Sequence, residues 1–222
     1  MHRVIGDDST VRFGLGGATI FHNVAACLKE MGRDIGEFRS ILDWGCGAGR
    51  ITRYLISETT ASVQGGDIDS NNIKWCAENL PGGTFHTLPL DPPTALPDGS
   101  FDLVIGASVL THLSEQSQFA WLAELQRLTT PGALLFLSVS GATQFAHQGF
   151  PAPFYREIQE KGFIDHTQDP ALVGYIAEPE TYRSVWHSRG YITKEWSRYF
   201  DVISFASGVA AVQDFVILRR RG

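Results

Sequence analysis

The stretch Ser40-Ile41-Leu42-Asp43-Trp44-Gly45-Cys46-Gly47-Ala48-Gly49 decides the fold. A short apolar run enters three glycines at alternate positions, after which Ile51, Tyr54 and Leu55 fall on one helical face. Strand, glycine-rich turn and helix follow from that order. At the carboxyl end of a strand in an open α/β sheet, such glycines let a ligand lie against bare backbone. The spacing is not the Gly-x-Gly-x-x-Gly of dinucleotide sites: the third glycine comes one residue early, and Asp43 stands two residues before the first. A carboxylate there repels phosphate and suits an ammonium or sulfonium ligand. Asp67 ends the next strand, where a carboxylate accepts both hydroxyls of a ribose. The implied ligand carries a ribose and a positive charge, and no phosphate.

Outward from this unit the alternation repeats. Upstream, Ile20, Val24, Leu28 and Met31 recur at helical spacing until Gly32, within an N-terminal helical segment 1–38. Downstream, 61–66 reads as a strand, Asp69 or Ser70 as the cap of a helix carrying Ile73 and Leu80, and 84–90 as a third strand. A Pro-rich loop leads to a buried strand at 101–106. A helix capped near Ser114 carries Phe119, Leu122, Leu125 and Leu128; Pro131-Gly132 is read as its end, and 133–139 as a fifth strand. This predicts an α/β, doubly wound, Rossmann-like sheet of about seven strands with helices on both faces. It is mostly parallel and closes with an antiparallel hairpin, 200–205 with 212–218. Residues 141–178 read as an irregular substrate lid with one short helix, 155–161, followed by a helix at 179–189. The chain is expected to be one domain, 1–222.

These motifs together resemble class I S-adenosylmethionine-dependent methyltransferases. The glycine loop matches their first motif, Gly66-Asp67-Ile68-Asp69 the acidic motif after the second strand, and Leu96 to Val104 the approach to the fourth. Glu124 to Gly132 matches the helix and turn before the fifth. The resemblance implies that Asp43, Gly45, Cys46, Gly47 and Gly49 line the methionine and sugar side of the cofactor, S-adenosylmethionine, with S-adenosylhomocysteine as product. Asp67 would hold the ribose and Ile68 cover the adenine. Leu90 and Asp91 lie in the loop that touches the adenine, although Leu90-Asp91-Pro92-Pro93 departs from the usual Asp-Ala pattern. Ala107, Ser108 and Val109 would pass beneath the methionine.

A narrower resemblance covers Trp75-Cys76, Thr111-His112-Leu113, Trp121 to Leu125 and Gln213-Asp214. It points to bacterial methyltransferases often found with glycosyltransferases, which implies a sugar, a glycan precursor or a small hydroxylated metabolite as acceptor.

Methyl transfer from a sulfonium is an in-line displacement, so holding donor and acceptor together does most of the work, and a base is needed only for a poor nucleophile. His112, just past the fourth strand, is either that base or a residue shaping the cofactor pocket. His187 is the second candidate, at the border of an acceptor pocket or simply on the surface. Arg50 and Arg53 either draw in an anionic acceptor or decorate a helix; His147, His166, Phe154 and Tyr155 belong to the lid. No metal site is expected.

Eighteen basic against twenty-four acidic residues give a charge of −6, a poor surface for a nucleic-acid polyanion. The chain lacks the Pro-Cys pair of cytosine-C5 methylation and the Asn-Pro-Pro-Tyr or Asp-Pro-Pro-Tyr of amino-nitrogen methylation. Three cysteines without metal spacing, no signal-peptide pattern and no span-length apolar run favour a cytoplasmic protein without membrane contact. The expected partner is a small-molecule acceptor, and a homodimer is compatible with the reading. Two rivals stay open: a non-catalytic protein of the same fold, and a nicotinamide-dependent oxidoreductase, which the early third glycine weighs against.

Overall fold

The computed structural model describes residues 10–166 and 183–222. Its main sheet has seven strands in the order β3-β2-β1-β4-β5-β9-β8. These are β1 Ser40–Trp44, β2 Ser62–Asp67, β3 Gly83–Thr87, β4 Phe101–Gly106, β5 Thr129–Val139, β8 Asp201–Ala210 and β9 Gln213–Arg219. The first five pair in parallel; β9 runs antiparallel to both β5 and β8. This is the doubly wound sheet with a closing hairpin that the alternation predicts.

Central strands are apolar on both sides because helices cover both faces. Ile41, Leu103, Ile105, Phe136 and Ile217 point to one face, where α1 (Thr10–Glu30) and α2 (Thr52–Glu58) supply Ile20, Val24, Leu28 and Leu55. Their neighbours Leu42, Val104, Leu135 and Val216 point to the other. There α4 (Glu115–Leu128) supplies Leu122 and Leu125, and α7 (Arg189–Glu195) supplies Ile192. Asp69 caps α3 (Ser70–Asn79) by accepting from Asn71 and Asn72 N–H, and Ser114 caps α4 by accepting from Ser117 N–H.

Three expectations are corrected. Pro131-Gly132 does not end a helix: α4 stops at Leu128 and the pair sits in a bulged start of β5, where Phe101 faces Thr129 and Leu103 already faces Leu134. The stretch after Ser140 is ordered as far as it is described. It holds α5 (Ala142–Gln148), closed by Gly149 at φ 60°, α6 (Ala152–Lys161), closed by Gly162 at φ 76°, and β6 (Phe163–His166). Residues 184–187 of the expected 179–189 helix form instead a strand, β7 (Ser184–His187), antiparallel to β6, in which Val185 and His187 are buried and Ser184 and Trp186 half-buried. That period of two belongs to a strand. Residues 167–182 of the expected lid and helix, and the side chain of His166, lie outside the described residues.

Phe145, Phe150, Phe154, Ile158, Ile164 and Trp186 give α5, α6, β6 and β7 an apolar cluster of their own. This cap is stitched to the sheet by His187 N–H to the Ser140 carbonyl at 3.0 Å and Arg183 N–H to the His112 carbonyl at 3.1 Å. Among the described residues no helix is long and apolar enough to cross a membrane.

Candidate active site

A cleft opens at the carboxyl ends of β1, β2 and β4, with about 600 Å³ of empty space counting its open mouth. Its floor is backbone. Gly45 has φ 75°, and a Cβ added there would lie 2.2 Å from Val109 Cγ2; one added at Gly66 would lie 2.7 Å from Leu88 Cδ1. Only glycine leaves these two surfaces bare. The loop is tied to β2 by Gly45 and Cys46 N–H, which donate to the Gly66 carbonyl at 2.7 and 3.1 Å.

Among the described residues, Asp67 is the only carboxylate lining the cleft, and no lysine or arginine lines it. Its Oδ2 accepts from Gly47 N–H at 2.7 Å and its Oδ1 from Asp69 N–H at 2.8 Å. Burial raises its pKa, and the two backbone donors oppose that rise. Beside it Ile68 and Leu90 remain 45% and 37% exposed, two large apolar side chains left on the rim of a slot. A carboxylate between bare backbone and apolar walls, with no cation among the described lining residues, fits a ligand with ribose hydroxyls and positive charge and repels one with phosphates.

At the other end of the cleft stand Ser108, at φ 63°, then Val109 and His112. His112 Nδ1 lies 3.0 Å from the Arg183 carbonyl, so Nδ1 is the donor.

Of the residues singled out in the sequence, Gly45, Asp67, Ile68, Leu90, Ser108, Val109 and His112 meet in this cleft. The others stand behind or beside it. Asp43 is buried and accepts from Thr52 Oγ1 at 2.5 Å; burial pushes its pKa from 3.8 up to about 6, against the pull of that hydroxyl and of Arg50. The amide of Gly47 is spent on Asp67, and Gly49 is the glycine that leaves room for Leu80 Cδ1, 2.3 Å from where a Cβ would be. The Cys46 thiol is buried against Cys76, whose hydrogen bond and the burial both raise its pKa, the opposite of a nucleophile's setting. Ala107 is buried in the core, and Asp91 is exposed beside Ser117 Oγ at 3.5 Å.

His187 does not border the cleft. It is 1% exposed, and its Nε2 lies 2.9 Å from Gln118 Oε1. The Gln118 amide donates to the Leu110 and Leu113 carbonyls, so its oxygen is left to accept and His187 Nε2 must donate. Burial pushes the His187 pKa down to about 3. Arg53 lies over the rings of Phe13 and Trp75, at 5.0 and 5.9 Å, joining α1 to α3; neither Arg50 nor Arg53 lines the cleft.

Sequence reading missed Trp44, Leu113 and Trp121 as lining residues, while Leu88 belongs to the 87–91 loop that the resemblance assigns to the adenine. Trp44 directly precedes Gly45 at a strand end, a signal that could have been used. Trp121 enters from α4, donates Nε1–H to the Leu90 carbonyl at 3.0 Å and packs on Trp44 at 5.1 Å. Nothing local marks it.

Residues 41–132 match the family model of the methyltransferase domain. A 2-methyl-6-phytyl-1,4-hydroquinone methyltransferase of Synechocystis is 27% identical over 161 residues, which cover 71% of this chain and 49% of that protein. The chain thus spans about half the length, or less, of the curated relatives it matches. Two solved structures share the fold. The magnesium protoporphyrin IX methyltransferase of Synechocystis, with S-adenosylhomocysteine bound, has a TM-score of 0.62 at 20% identity, covering 99% of this chain and 91% of that one. The 1,6-didemethyltoxoflavin-N1-methyltransferase of Burkholderia thailandensis has a TM-score of 0.62 at 15% identity, covering 91% and 79%. The sheet order, the glycine loop and the acid at the end of β2 agree with the match of residues 41–132 to a methyltransferase domain.

Proposed function

We propose that the protein moves a methyl group from S-adenosylmethionine to an oxygen or nitrogen of a small molecule. The observation that carries this reading is a cleft that joins bare backbone at Gly45 and Gly66, one carboxylate at Asp67 and an imidazole at His112, with no lysine or arginine among its described lining residues. The donor, when bound, supplies a methyl group already activated by its sulfonium. Asp67 would accept the ribose hydroxyls, Ile68 and Leu90 would flank the adenine, and Gly45 with Ser108 would lie along the methionine end. Trp44, Leu88 and Trp121 supply apolar wall that excludes water, so the chain's contribution is mainly alignment. His112, with its proton held on Nδ1 by the Arg183 carbonyl, would take the proton of an acceptor hydroxyl on Nε2. Asp43 and His187 act in this reading as buried supports.

The acceptor class we favour is a sugar, a glycan precursor or another small hydroxylated compound. The named substrate of the hydroquinone methyltransferase is also a hydroxylated ring, so phenolic rings belong in the same screen. The test is calorimetric titration of ligand-free protein with S-adenosylmethionine and S-adenosylhomocysteine, with NADH as competitor, followed by transfer of labelled methyl to that panel. Micromolar binding of both sulfur ligands with NADH inert is the expected result. Folded protein that binds neither at millimolar concentration would leave a non-catalytic partner of the same fold.

A further inference from the structure

We propose that Gln213, on the β8–β9 hairpin and far outside the 41–132 segment, is a positioning residue for the cleft; the proposal rests on the cofactor reading above. The starting observation is Ser108, a cleft-lining residue with a side chain held at φ 63°. L-residues other than glycine rarely adopt that conformation, and it persists only where the surroundings over-determine it.

Three hydrogen bonds do so. Ser108 N–H donates to Ser138 Oγ at 2.6 Å, Ser138 Oγ donates to Gln213 Oε1 at 2.7 Å, and Ser108 Oγ donates to the same Gln213 oxygen at 3.1 Å. One amide oxygen therefore holds Ser108 both directly and through Ser138, which is fully buried on β5. The hairpin that carries Gln213 is itself anchored. The buried Asp214 accepts from Gly208 N–H at 3.0 Å, from Thr143 N–H at 3.3 Å and from the Thr143 hydroxyl.

The backbone turn at Ser108 sets the path of the chain beyond it. Val109 is delivered onto Gly45, its Cγ2 filling the space of the missing Cβ, and its carbonyl accepts from His112 N–H at 3.0 Å to close the turn that presents the imidazole. Gln213 thus acts through Ser108 on the floor of the cofactor cleft and on His112 together.

The test compares wild type with Gln213→Leu, Gln213→Glu and the double variant Gln213→Leu/Ser108→Gly. Glutamate keeps the accepting oxygen; glycine adopts positive φ without strain and has no need of the clamp. Two readouts are taken: amide hydrogen exchange over residues 106–113 in ligand-free protein, and calorimetric affinity for S-adenosylhomocysteine. Gln213→Leu is expected to speed exchange in that segment and weaken binding by about tenfold or more, as for a lost buried acceptor. Gln213→Glu stays near wild type in both readouts, and the glycine substitution, which relieves the strain at position 108, brings exchange back toward wild type. Wild-type exchange in Gln213→Leu, or failure of Ser108→Gly to restore it in a folded double variant, would overturn the proposal. Wild-type protein that binds no S-adenosylhomocysteine would remove the cofactor reading instead, and the exchange data would still decide the role of Gln213.

Discussion

Gly47 N–H donates to Asp67 Oδ2 at 2.7 Å, so the glycine loop after β1 is fastened to the end of β2 by the same carboxylate that lines the cleft. With Asp69 N–H on the other oxygen at 2.8 Å, both oxygens are oriented by backbone donors, and the carboxylate keeps lone pairs for a ligand.

Replacing Asp67 by alanine therefore removes a ligand acceptor and unfastens the loop in one step. The Kd for S-adenosylhomocysteine is expected to rise tenfold or more, about 1.4 kcal/mol or above for charge-assisted bonds. Asp67→Asn, which keeps one acceptor oxygen, should fall between alanine and wild type. Titration calorimetry decides, and an unchanged Kd in the alanine variant would remove Asp67 from the ribose role.

For His112 the informative quantity is the split between turnover and binding. With an alcohol acceptor, His112→Ala is expected to lower kcat by about 10²- to 10⁴-fold, the usual contribution of a general base, while the donor Kd stays near that of wild type. Single-turnover methyl transfer and calorimetry on the same preparation measure both. A parallel loss of donor affinity would make His112 a residue that shapes the pocket.

The parts of this fold that were legible in the sequence are those with local causes. Gly45, Gly47 and Gly49 all take positive φ, Asp69 and Ser114 cap their helices from the positions expected, and the apolar runs of β1, β4 and β5 are short and buried. What stayed hidden depends on partners distant in sequence. Helix α5 has no side-chain cap at its N-terminus; Asp214, 71 residues on, receives the Thr143 amide and hydroxyl. Strand β7 exists because β6 lies beside it, and the buried His187 finds the acceptor for its Nε2–H in Gln118 on α4. Trp121 faces the cleft through its neighbours Trp44 and Leu90, while its spacing along α4 is that of any core residue.

His187 also gives a pH signature of stability. Its pKa of about 3 in the folded protein lies below its ordinary 6.5, so between those values the unfolded chain binds more protons. The stabilisation is fully present above about pH 6.5 and is lost as pH falls toward 3. Asp43 works in the opposite sense: its pKa of about 6 makes stability fall as pH rises from about 4 to 6. The two partly cancel in wild type, and comparison with His187→Leu isolates the histidine. Urea unfolding should show the advantage of wild type over this variant growing with pH from about 4 to 6.5, by up to about 1.4 kcal/mol per pH unit. Donor affinity should not change, because His187 does not line the cleft. A pH-independent difference would contradict the buried neutral imidazole.

The docking of α1 is set by two adjacent glycines that should respond in opposite directions. A Cβ at Gly17 would lie 1.9 Å from the Arg50 carbonyl oxygen, a backbone atom at the end of the glycine loop, whereas one at Gly16 would lie 3.7 Å from the Arg50 guanidinium, ordinary contact. Neither glycine has the positive φ that would itself bar a side chain. Gly16→Ala therefore gains only helix propensity, up to about 1 kcal/mol. Gly17→Ala must push α1 away from α2, strain the bond from Tyr54 hydroxyl to the Gly14 carbonyl at 3.0 Å, and lose about 1–3 kcal/mol to overpacking. Urea denaturation of the two single variants separates these cases. Equal effects of one sign would mean that α1 does not rest on Arg50, and opposite signs would establish the helix as the back support of the cofactor loop.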